Sequence, residues 1–170
     1  MANEIFQNLD LKIRISQKEI EAYTKGNYQY LERIKAHYLN SLILLIVSEY
    51  EIIIEKLFYL RAAECKDAML VNFVKNQMDK IFRSPDLSNI TKTLKMFDEK
   101  LSESFVKKIN NTTIHSAWDN LMKARHSIVH RQGNLNLTYE ELISSYPKTK
   151  GVIFELVSIL GVDLKKFKSV

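Results

Sequence analysis

Four glycines and two prolines among 170 residues leave this chain little material for tight turns. A sandwich or barrel of short strands reverses direction roughly every 8–12 residues and spends both residue types freely. A chain so poor in them is expected to run in long helices with short connections, an all-α fold. Its apolar fraction of 46% suits a packed globular protein rather than a disordered one. The length accommodates one domain with a sizeable core, expected over residues 1–170, and not two.

Hydrophobic spacing divides the chain. Ile5, Leu9, Ile13, Ile20 and Tyr23 recur at near-helical intervals, predicting an N-terminal helix from about Glu4 to Lys25 that packs on a bundle and breaks at Gly26-Asn27. The longest helix is expected from Tyr28 to Ala63. Leu42, Ile43, Ile46, Tyr50, Ile53, Ile54 and Leu57 form its apolar face, and Ser48, Glu51, Glu55 and Tyr59 lie towards the other side. A shorter helix over Lys66 to Arg83 should stop before Ser84-Pro85, because proline disfavours helical geometry in the residue before it. Asp86 or Ser88 can cap a helix through Ile90, Leu94, Phe97, Leu101, Phe105 and Ile109. Another runs from Ile114 to His130 or Arg131, with Gly133 placed to end it. Thr138 and Glu141 spell a capping box for a short helix ending near Ser145; a last helix follows Pro147, and residues 163–170 form a basic tail.

Other features narrow the function classes. Cys65 is the single cysteine, so an internal disulfide and a cysteine-based zinc site are excluded. The longest apolar run, Leu42 to Val47, falls far short of the roughly 18 residues a membrane span needs. No basic region followed by an apolar stretch opens the chain, so a cytoplasmic setting without a membrane partner is expected. There is no glycine-rich phosphate loop, no H-E-x-x-H and no Cys/His cluster, so neither cofactor nor metal is expected. A net charge of +5 is compatible with RNA as a partner.

The helix beginning at Ile114 is anomalous. Trp118, Leu121, Met122, Ala124, Ile128 and Val129 gather on one stripe, and Arg125 lies only about 20° from its centre line at 100° per residue. Burying a guanidinium unpaired costs several kcal/mol. The charge must therefore meet a buried carboxylate, a partner subunit or a polar cleft that binds an anion. Glu49, at the edge of the long helix's apolar face, is the best internal carboxylate; Glu51 and Glu55 read as solvated charges on a polar stripe. His126 and His130 project roughly 100° and 140° from Arg125, on the flank where a side chain can touch both core and cleft.

Arg125-His126-Ser127-Ile128-Val129-His130 resembles the R-x4-6-H motif of the HEPN superfamily, in which a polar residue such as His126 commonly follows the arginine. The string from Lys123 to Gly133 is similar to the RiboL-PSP-associated HEPN group. The resemblance implies a helical bundle with a long second helix, dimeric through the motif helix. It also implies a metal-independent endoribonuclease whose composite cleft is shared by two subunits. In such a site His130 would do acid–base work, Arg125 would stabilise the phosphate or hold the cleft, His126 would position the phosphate or orient His130, and Arg131 would touch the RNA backbone. A toxin or defence role, with an antitoxin or defence-system partner, is the implied setting. Gln132 stands where some HEPN toxins carry a tyrosine that a partner enzyme modifies, so that form of control does not carry over. Two other classes fit the same residues. One is a non-catalytic helical dimer that keeps the motif for its interface; the other is a single-chain nucleic-acid binder.

Overall fold

A computed structural model gives the architecture and describes residues 2–24, 30–82, 84–130 and 135–169. Among the described residues the regular structure is wholly helical. A 3-10 segment, Ala2–Phe6, leads into α1 (Gln7–Thr24). There follow α2 (Leu31–Ala63), α3 (Ala68–Ile81), α4 (Leu87–Phe97), α5 (Glu99–Ile109), α6 (Thr113–Val129), α7 (Tyr139–Leu160) and a closing 3-10 segment, Leu164–Ser169. No described helix is long and apolar enough to cross a membrane.

The scaffold is α2, 33 residues and so about 50 Å long at the α-helical rise. Leu42, Ile43, Ile46, Tyr50, Ile53, Ile54 and Leu57 are all buried, and α1, α3, α6 and α7 pack around the helix. At the centre the Tyr50 ring stacks on Trp118 of α6, with centroids 4.9 Å apart and planes within 10°. Thr149 donates its hydroxyl hydrogen to the Tyr146 carbonyl (2.7 Å), which leaves its oxygen to accept from the Tyr50 hydroxyl at 2.6 Å. Burial pushes the Tyr50 phenol far above its ordinary range, so it stays a neutral donor. Trp118 donates to the Pro85 carbonyl at 3.0 Å, and this bond pins the α3–α4 connection to the core.

The end helices are tied together. Asp10 of α1 accepts from the Tyr146 hydroxyl at 2.7 Å and from the Lys150 ammonium at 2.6 Å, both on α7. Lys150 also lies over the rings of Phe6 and Tyr146, 5.0 and 4.6 Å from their centroids. Within the expected basic tail, Leu164 and Phe167 are partly buried, and the Lys56 ammonium lies 5.3 Å from the Phe167 ring.

Two helices depart from the expected boundaries. The run from Leu87 to Ile109 breaks at Asp98, which takes an extended backbone (φ −164°, ψ 131°) and accepts from the Lys100 amide at 2.8 Å. A short acidic side chain that captures a backbone amide competes with helix continuation, and this one ends α4 and caps α5. Conversely, Pro147 lies inside α7, where a break was expected. It removes one intrahelical hydrogen bond, but Leu142 and Tyr146 before it and Thr149, Val152, Ile153 and Leu156 after it are buried along one face. Tertiary packing of that face outweighs the local loss. The capping box is present: Thr138 Oγ1 accepts from the Glu141 amide at 3.2 Å, and Glu141 accepts from the Thr138 amide at 2.8 Å.

The α6–α7 contact depends on Gly151. A Cβ at this position would lie 2.7 Å from Ile114 Cδ1 and 3.0 Å from its Cγ1. Gly151→Leu is expected to push the two helices apart and cost about 1–3 kcal/mol in urea-induced unfolding. A variant as stable as the parent would mean that the contact is not tight.

Candidate active site on α6

Helix α6 is started by Thr112, whose hydroxyl accepts from the His115 amide at 3.1 Å. Its apolar stripe is deep in the core through Ala117, Trp118, Leu121, Met122 and Ala124. The same stripe then outruns the core. Arg125 and Ile128 are partly buried, and Val129 is 52% exposed. Arg125 therefore lies where the stripe crosses from interior to surface, which reconciles its inward position with its charge.

The structure divides the sequence-derived candidates. Glu49 does not receive Arg125. It faces α1, with Oε1 3.5 Å from the Lys12 ammonium. The carboxylate that feels Arg125 is Glu51, two residues on and so roughly 200° around α2. Glu51 directly follows Tyr50, the ring stacked on Trp118, so it lies beside the α2–α6 contact. Burial raises its carboxyl above the usual range, and the charge of Arg125 acts against that rise. The expectation that Glu51 was merely solvated is thus corrected. Glu49 and Glu51 lie on opposite sides of Tyr50, and choosing between them required knowing that α1 covers the Glu49 side.

His126 and His130 come together. Both are exposed, with ring centroids 4.3 Å apart and planes inclined by 47°. His130 is the C-cap of α6, and its backbone N–H donates to the His126 carbonyl at 3.0 Å. The two imidazoles form a pair one turn apart, on the flank of the stripe that carries Arg125. His115, partly buried almost three turns earlier, does not join them. Arg131, Gln132 and Gly133 lie outside the described residues.

Neither the groove of about 750 Å³ lined by Glu49, Ile52, Lys56 and Phe167 nor the apolar groove of about 870 Å³ lined by Cys65, Phe73, Met96 and Phe97 includes a motif residue. Among the described residues no cluster of three or more His, Cys, Asp or Glu side chains could hold a metal. The arrangement offers two exposed imidazoles, able to transfer protons, and on the same helix a half-buried guanidinium able to hold an anion.

Comparison with curated proteins and with solved structures gives no match. The family model described as RiboL-PSP-HEPN matches residues 4–162, a span that takes in all seven α-helices and the motif. The chain therefore belongs to the RiboL-PSP-HEPN family.

Proposed function

We propose that this chain is a metal-independent endoribonuclease that works as a homodimer, with the α6 faces of two copies enclosing one RNA cleft. The observation that carries this reading is the apolar stripe of α6 continuing beyond the core, past Arg125 to the half-exposed Val129, with the two histidines alongside. A second copy over that face would cover Ile128 and Val129 and supply the missing walls of the site.

The chemistry follows from the residue types. The 2′-hydroxyl of RNA loses its proton to a base and attacks the neighbouring phosphorus. The 5′-oxygen then leaves with a proton from an acid, yielding a 2′,3′-cyclic phosphate and a 5′-hydroxyl. An imidazole can serve as base or acid near neutral pH, and a planar guanidinium matches the extra charge on the phosphorane. His130 takes the acid–base role, His126 orients it or the phosphate, and Arg125 stabilises the phosphorane. Glu51 supports the inward side of Arg125, and Arg131 contacts the RNA backbone. A toxin or defence role in the cytoplasm, restrained by an antitoxin or defence-system partner, is the biological setting of this reading.

Val129→Glu tests the composite cleft. A carboxylate placed between two apolar stripes costs several kcal/mol, so the dimer should weaken by roughly 100-fold or more. Light scattering should then report a folded monomer, and RNA cleavage in EDTA should fall in step. A Val129→Glu protein that stays dimeric and cuts at the parental rate would overturn the cleft. A parent that dimerises but never cuts would mark an interaction module instead.

A further inference from the structure

The two exposed imidazoles have a chemistry that phosphate recognition does not use. Residues four apart on a helix carry their Cβ atoms about 5–6 Å apart on one face. His126 and His130 stand in that relation with ring centroids at 4.3 Å. Among the described residues neither imidazole makes a side-chain hydrogen bond or ion pair, and both rings are exposed. Metal–imidazole bonds of about 2.0–2.1 Å require two nitrogens roughly 3 Å apart, within reach of modest ring rotation from this geometry.

We propose that His126 and His130 form a two-imidazole chelate for a borderline divalent transition-metal ion, Zn2+ or Cu2+, and that occupancy silences the site. Imidazole favours these ions over Mg2+ or Ca2+, which prefer oxygen ligands. Among the described residues the site has two ligands. Asp119 lies on the same row of α6 but seven residues before His126, about 10 Å along the axis, and its carboxylate is held by Lys123 at 2.6 Å. No third side chain joins the pair among the described residues, and the remaining coordination positions of the ion fall to water. The ion here is an inhibitor and takes no part in the reaction. A lone pair bound to metal cannot accept a proton, so a metallated His130 is no longer a base. This silencing half rests on the ribonuclease reading; the binding half does not.

The test uses untagged full-length protein and Cu2+, the strongest binder of the first-row series. The electron paramagnetic resonance spectrum should show coupling to two imidazole nitrogens, and Zn2+ should displace the signal. His126→Asn or His130→Asn should each remove one nitrogen and weaken Cu2+ binding by at least about tenfold, whereas His115→Asn should change nothing. Circular dichroism of the variants checks the helix; both rings are exposed, so it should be unaltered. Binding unchanged by His126→Asn or by His130→Asn overturns the chelate. In the activity arm, Zn2+ should suppress RNA cleavage and EDTA restore it. Protein that holds the metal through both rings yet cuts undiminished overturns the silencing. Protein that binds metal through both rings but cuts under no condition retains the chelate and refutes the ribonuclease reading alone.

Discussion

His130→Ala should lower the rate of RNA cleavage by roughly 10²–10⁴-fold, the span attributed to a single positioned acid or base. The side chain is exposed at the end of α6, so its removal empties no cavity, and the melting temperature should stay close to the parent's. Arg125→Ala should cost on the order of 10²-fold or more in the same assay, by removing the donor aimed at the phosphorane. Arg125→Lys should restore only part of this, because an ammonium lacks the planar fork. Arg125→Ala also leaves burial at Glu51 unopposed by the guanidinium, which shifts that carboxyl further towards its neutral form. The measurement is single-turnover formation of 2′,3′-cyclic phosphate ends in EDTA. Undiminished, EDTA-resistant cleavage by His130→Ala would remove the histidine from the mechanism.

Trp118→Ala is expected to be the most destabilising single truncation, at about 3–5 kcal/mol. The indole is 0% exposed. Its loss opens a cavity against Tyr50, ends the stacking contact, and leaves the Pro85 carbonyl without the donor it has at 3.0 Å. Trp118→Phe keeps a ring against Tyr50 but loses the donor and part of the indole's volume, so its stability should fall between that of the parent and that of the alanine variant. Urea denaturation at constant m-value reads both variants. A loss under about 1 kcal/mol for the alanine variant would mean that the core closes over the gap.

The fold was legible where packing and local preference agree. The apolar rows of α2 and the box at Thr138 and Glu141 are periodic or short-range signals, and each matches the structure. Where they conflict, periodicity misled. Continuous apolar spacing across Asp98 hid a break made by one carboxylate accepting from one amide. At Pro147 the opposite happened: a strong local breaker was overridden by the buried face of α7. The partner of Arg125 was beyond reach for another reason. The helical wheel favoured Glu49 and left Glu51 to solvent; that α1 packs on the Glu49 side, with Lys12 against its carboxylate, is a tertiary fact that periodicity does not carry.

The bonds from α7 to α1 and α2 also constrain how such a molecule can be made. Asp10 meets residues 136 and 140 positions later, and Tyr50 finds its acceptor 99 positions later. Contacts that close such long loops form late, and a chain emerging from the ribosome lacks them until α7 has cleared the exit. Because α6 packs against both α2 and α7, the surface that carries Arg125 and the histidines takes its final surroundings only once α7 has docked.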